Sequence, residues 1–355
     1  MTRLIVTTDS STAGVIQHAG LADLVIAVER RFVWGPLPSA AELEAFFAPR
    51  TTQPPSLHWL DDTPPWRLEK SDVKDHGLIE LSAEYDSIEL WIGLEPNAQL
   101  LLLWLLDYCS RDNAALSKLA LRQLDVAAGA VDPERLAQLN PPIVKPTKDY
   151  VELVGCAWRA YHAPTPRAWF DRLKTDLILL PQLEQCAVAL LEEITGVTTG
   201  LGATEARILE LIAPGDVQPF DVFPGHQKRN ERRVFDYWEV GALLDGLARC
   251  PVPAVSGMEE GPFSLDMHND AARHARYKQS RLSLTDLGKA VLAQEEDFLR
   301  LNLIRRWWGG THLTNERLWR WTPRPAHLSP LDDVYVFAQH VPVLRINFER
   351  QSCPI

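Results

Sequence analysis

Residues 3–20 read RLIVTTDSSTAGVIQHAG, and the pattern of this stretch sets the fold class. Leu4, Ile5 and Val6 run without a polar break, which predicts a strand buried on both faces. A wholly polar loop follows, from Thr7 to Ser11. Ser10 or Ser11 is placed to cap a helix that carries Ala13, Ile16 and Ala19 along one face. Gly20 falls where a helix C-cap glycine is expected. Residues 23–29, DLVIAVE, repeat the buried-strand pattern. Two short strands joined by one brief helix predict a parallel βαβ unit. Open sheets of this kind bind ligands beyond the carboxyl ends of their strands. Asp9, Ser10 and Ser11 are therefore the first candidate ligand-binding residues. The helix N-terminus and two hydroxyls suit a phosphate or carboxylate. Asp9 repels an anion, so a sugar hydroxyl, an amine or a metal fits the loop better.

The same reading extends along the first third of the chain. Residues 32–38, FVWGPLP, form a turn that brings Gly35 to the same sheet edge as Asp9 if the strands are parallel. Ser39 and Glu42 have capping-box spacing ahead of a helix ending near Phe47. Residues 50–74, rich in Pro, Asp and Trp, read as an ordered irregular excursion. SIELWIG at 87–93 is a third strand, which makes Glu89 and Gly93 candidates as well. A helix then runs from Pro96, near its first turn, to Cys109. KLALRQLD at 118–125 is a fourth strand. The alternation predicts an α/β domain with a small, mainly parallel sheet over residues 1–130.

From residue 133 a short helix and then Pro141, Pro142 and Pro146 mark a linker. Beyond it the period is helical: Val151, Val154, Trp158 and Tyr161, then Leu183, Ala187, Leu190 and Ile194. The expectation is a mainly α domain over 147–325. Within it, 201–294 has the order helix, helix, helix, hairpin, helix of a winged helix. Residues 251–257 and 281–284 make the hairpin, and 258–280 form a long polar insert. Asp266, His268 and Asp270 alternate inside that insert, but no partner motif accompanies them, so they read as a solvated loop rather than a metal site. HQKRNERR at 226–233 and RHARYKQSR at 273–281 flank the expected recognition helix and wing. Arg232, Arg233, Arg276 and Lys278 are the DNA-contact candidates from these clusters. Helix 240–249, VGALLDGLAR, carries few groups that read bases, so contact through phosphates is expected. Residues 305–321 hold four tryptophans around Gly309-Gly310, where packing at a domain junction is the favoured reading. His312 alone in that segment has both acid–base and ligand capacity. Two strands at 334–337 and 341–348 are expected in a C-terminal tail, 326–355.

The quoted pieces TTDSSTAG, WGPL, IELWIG, GLGATEARILELIAPG, LSLTDLGKAVL, RWWGGTHL and LWRW resemble those of a family of uncharacterised bacterial proteins. These join an N-terminal α/β domain of unknown function to a helical, winged-helix-like C-terminal region. The resemblance covers nearly all of residues 1–325 and implies an architecture, not a reaction. Relatives carry Gly just before the Asp-Ser pair, where this chain has Thr8.

The formal charge is −11, with the acidic excess concentrated in residues 1–200. That disfavours broad nucleic-acid binding and leaves room for a local basic patch in the second half. Five scattered cysteines without CxxC spacing suit a reducing compartment. No signal-peptide layout opens the chain, and the apolar run at 100–106 is too short to span a bilayer. A cytoplasmic protein with no membrane partner is expected. Gly200-Leu201-Gly202 lacks the third glycine of a dinucleotide fingerprint, and no GxSxG, HExxH or Walker A pattern occurs. The cofactor is left unknown by these patterns. The leading expectation is a regulatory or adaptor protein that binds a small molecule at the Asp9 loop and contacts DNA or a protein through the winged helix. The alternative is an enzyme with its site between Asp9, Gly35 and Glu89.

Overall fold

The computed structural model describes residues 2–50, 57–64, 68, 73–124, 131–139, 141–173, 180–225, 234–323 and 326–330. The expected tail strands at 334–337 and 341–348, and the basic cluster at 226–233 with Arg232 and Arg233, lie outside the described residues.

The first unit is a five-stranded sheet in the order β2-β1-β3-β4-β5, built from β1 (Arg3–Thr7), β2 (Leu24–Ala27), β3 (Ser87–Gly93), β4 (Leu119–Leu124) and β5 (Ile143–Val144). The first four run parallel, and only β5 is antiparallel. Thr7 pairs with both Ala27 and Trp91, so the carboxyl ends of β1, β2 and β3 share one edge. Alternation along the strands splits the core. Leu4, Val6, Ile26, Leu90 and Ile92 face the larger apolar cluster, while Ile5, Val25, Ala27, Trp91 and Leu124 face a smaller one.

Helix α1 (Ser10–His18) covers the smaller cluster with Ala13 and Ile16. It is capped by Asp9, not by Ser10 or Ser11: Thr12 N donates to Asp9 Oδ1 at 2.7 Å. Helix α2 (Ala40–Phe47) starts with the expected Ser39–Glu42 capping box. After α3 (Leu78–Ala83) comes α4 (Pro96–Cys109), buried around nearly its whole circumference. Its sequence LLLLWLL is apolar all round because β3 lies on one side and further helices on the other. One turn-rich helix missed in the sequence, α5 (Asn113–Lys118), precedes β4, and α6 (Pro133–Leu139) follows it.

The second unit packs directly on α4 through α7 (Lys148–Tyr161) and α9 (Pro181–Leu191), with α8 (Arg167–Arg172) between them in sequence. Trp158, Leu190 and Ile208 are buried, as expected from their stripes. One apolar cluster runs without a break from Leu4 to Leu328.

Residues 203–292 arrange α10 (Ala203–Ile212), a 3-10 turn (Pro219–Val222), α11 (Tyr237–Ala248), β7 (Val255–Ser256), β8 (Ser283–Leu284) and α14 (Asp286–Leu292). β7 and β8 form the expected antiparallel hairpin, and Val217 adds a bridge to Leu282. The insert departs from the expected solvated loop. It forms α12 (Leu265–Asn269) and α13 (Ala271–Gln279) and buries Phe263, Met267 and Tyr277. These apolar side chains are sparse in sequence yet meet one aromatic cluster with Phe220, Phe223 and Tyr237.

The tryptophan segment is a hairpin, β9 (Arg305–Trp308) and β10 (Thr311–Thr314), turning at Gly309-Gly310. Gly309 has a φ of 52°, and a Cβ there would lie 2.5 Å from Tyr161 O. The turn therefore sits directly on the end of α7. β11 (Trp319–Pro323) pairs with β12 (Ala326–Pro330) and, in parallel, with β6 (Thr195–Gly196). Among the described residues no helix is long and apolar enough to cross a membrane.

Candidate functional site

The expected site at the strand ends is filled by the chain itself. Asp9 takes the Thr12 N–H, and Glu29 Oε1 takes the Ser10 N–H at 2.5 Å. Two of the free N–H groups of α1 are thus already met by carboxylates, which removes the anion-binding reading of this helix end. Polar side chains from the first turn of α4 bond the backbone that follows β2 and ends β3. Asn97 bonds Arg30 O and Phe32 N, and Gln99 bonds Gly93 O. Ser10 and Ser11 are exposed, and Gly35 stands at a φ of 74° with open space around it.

Glu89 is not brought to Asp9. It pairs with Ile5, four residues upstream of Asp9, roughly 13 Å along the strand. Its carboxylate accepts from Arg122 Nε at 2.7 Å and Trp91 Nε1 at 2.9 Å, with Arg3 at 3.5 Å. A buried, fully engaged ion pair inside a sheet holds strands together, and it leaves the proposed Asp9–Gly35–Glu89 constellation without its third member.

The expected recognition helix, α11, buries one face and leaves Trp238, Gly246 and Arg249 exposed on the other. Most of α11 is buried. Phe263 of the insert fills the space above Gly241, and Arg31 from the first unit donates both its Nε and Nη2 groups to Glu239. Asp245 is buried and accepts from Phe263 N and from Arg249 Nε, while Arg249 itself stays exposed. Arg276 shares the Glu260 carboxylate with Arg273, at 2.8 and 3.0 Å, while Lys278 is exposed. Asp266, His268 and Asp270 are not a metal site: Asp270 caps α13, and no group of three ligand-type residues converges among the described residues.

Two clefts remain. The larger, about 580 Å³, is lined by Trp307, His312, Thr311, Arg317, Trp319 and Thr165, among others. Its geometry follows from the β9–β10 register. Trp307 and His312 are cross-strand partners on the outer face, and their rings stack at 4.6 Å with an interplanar angle of 23°. Trp308 and Thr311 occupy the inner face, where Trp308 Nε1 donates to Leu190 O. Trp308 and Trp321 are buried, but against Leu190, Tyr161 and Phe170 of the second unit itself and not at a junction with the first, while Trp307 and Trp319 face the cleft. The Thr311 hydroxyl is buried without a hydrogen-bond partner.

The smaller cleft, about 250 Å³, lies between α2, α4 and α7. Trp104, Asp107 and Tyr108 share one face of α4, and Trp158, Arg159 and His162 face them from α7. Burial raises the Asp107 carboxyl above the ordinary carboxylate value, against the pull of Arg111 and Arg159. Burial also lowers the His162 imidazole, whose Nε2 has no partner. Nothing in the sequence marked this site, because its residues come from three separate helices at no motif spacing.

No model of a known protein family and no curated protein matches this chain.

Proposed function

We propose that this is a ligand-binding adaptor protein whose ligand seat is the His312 cleft rather than the Asp9 loop. The observation that carries the reading is the stacked Trp307–His312 pair on the wall of a 580 Å³ cleft. A flat aromatic platform bordered by Arg317, Glu316 and Thr165 suits a planar ring with polar edges, such as a nucleobase. Base stacking on an aromatic side chain contributes about 1–3 kcal/mol. The order of α10, Val217, the 3-10 turn, α11 and the β7–β8 hairpin supports a winged-helix reading of residues 203–292. The exposed face of α11 carries Trp238 and Gly246 with Arg249 as its single cation, so that module suits contact with protein rather than DNA. The family resemblance of the sequence fits the same two-unit organisation.

Calorimetric titration with nucleosides tests the ligand reading. Binding is expected, and Trp307→Ala should weaken it about tenfold or more, as loss of one stacking platform implies. Absence of binding, or equal binding by the variant, would refute the assignment of this cleft. A DNA mobility assay at low salt is expected to show no shift.

A further inference from the structure

The smaller cleft joins two groups of opposite charge that do not pair with each other. Gly155 on α7 leaves its Cα bare beside them. A Cβ at that position would lie 3.2 Å from Asp107 Oδ1 and 3.2 Å from Arg159 Nη1. The two groups therefore flank one spot, yet among the described residues they make no ion pair. Arg159 Nη2 reaches only the Cys156 Sγ, at 3.3 Å. Arg111, by contrast, already has Glu44 at 3.5 Å. Behind the charges the walls are apolar and rigid: Trp104 and Trp158 are 3% and 6% exposed, and Leu43 is buried with them. The volume, about 250 Å³, falls below the 300–1,000 Å³ typical of drug-sized ligands.

We propose that this cleft binds a single apolar α-amino acid, with the ammonium on Asp107, the carboxylate on Arg159 and the side chain against the cleft-lining edges of Trp104 and Trp158. A zwitterion is the one small ligand that satisfies an unpaired anion and an unpaired cation at once. A lone carboxylate leaves the half-buried Asp107 without a direct partner, and a lone amine forgoes the bond to the exposed Arg159, so either analogue gives up one charge-assisted hydrogen bond. Burial raises the Asp107 carboxyl against the pull of Arg111 and Arg159, neither of which comes within ion-pair distance, which fits a group that gains its direct counter-ion only when ligand arrives. The free His162 Nε2 adds a polar group in the same cleft. This site is independent of the His312 cleft, so either can fail alone.

The test is calorimetric titration of the full chain with L-leucine and with its two half-analogues, 4-methylpentanoate and isopentylamine. L-leucine is expected to bind, and each half-analogue to bind roughly ten- to a hundredfold more weakly, the loss of one charge-assisted hydrogen bond. Asp107→Asn should lower leucine affinity by a similar factor and leave that for 4-methylpentanoate unchanged. Trp307→Ala should not alter leucine binding. Because Asp107 is strained by burial, the asparagine variant is expected to melt no lower than the parent. The half-analogue comparison needs no variant and stands whether or not Asp107→Asn folds. No leucine binding, half-analogues that bind as tightly as leucine, or an Asp107→Asn protein that binds leucine as the parent does would overturn the proposal.

Discussion

Replacing Arg122 with methionine tests whether Glu89 is held for structure. Glu89 and Arg122 are 5% and 7% exposed, on neighbouring parallel strands. Arg122 Nε donates to Glu89 Oε2 at 2.7 Å, and Trp91 Nε1 donates to the same oxygen at 2.9 Å. Arg3 contributes only from 3.5 Å, on a side chain that is 40% exposed. Methionine keeps much of the apolar stem, so the electrostatic loss dominates over cavity formation. Removing one partner of a buried pair costs about 3–5 kcal/mol. The Trp91 N–H and Arg3 remain, which places the expectation at the lower end, about 3 kcal/mol. The assay is the denaturant midpoint at unchanged slope. A second variant with leucine at both Glu89 and Arg122 should lie close to the parent, because neither charge is left alone. A loss below about 1 kcal/mol for Arg122→Met refutes the structural reading and returns Glu89 to the functional candidates.

Three further outcomes follow from the packing. Trp158→Ala should cost about 3–5 kcal/mol in denaturant melts, because its ring contacts Phe32 at 5.1 Å and His162 at 4.3 Å in a buried position. Gly241→Ala should cost about 1–3 kcal/mol, since the new Cβ meets Phe263 Cδ1 at 2.1 Å; an unchanged midpoint would mean that the insert does not cover α11. The Glu260 carboxyl is pushed down to about 2 by Arg273, the Gly261 N–H and Arg276, so it stabilises the fold above its ordinary value of 4.5 and that contribution is lost as pH falls toward 2. Glu260→Gln should flatten the acid limb of the melting profile, and an acid limb identical to the parent's would count against the insert geometry.

The secondary structure of the first unit was legible because its signals are local. Leu4-Ile5-Val6 and 24–27 can be buried only between two layers, and the short helix between them permits only parallel pairing. The Ser39–Glu42 box, Pro96 at a helix start and Gly20 after α1 are all read from residues within four positions of one another. Capping at the first helix was misassigned by one residue, since Asp, Ser and Ser in a row are equivalent caps until the backbone chooses among them. The insert escaped because three buried side chains, Phe263, Met267 and Tyr277, are too widely spaced to form a stripe.

Sequence alone thus determined the βαβ core, the buried helix α4 and the helical second unit, because burial periodicity and capping act over a single turn or strand. Tertiary structure decided everything that depends on which distant side chains meet. Glu89 looked like a free strand-end acid until Arg122, 33 residues later, closed on it across the sheet. Gly241 and Glu239 of α11 lost their exposure when Phe263 packed on one and Arg31 bonded the other. Asp107 became a candidate ligand group only when Gly155 of α7 brought Arg159 beside it. Charge pairing and solvent exclusion are set by distance in space, and one chain's linear order carries no record of that distance until its helices have packed.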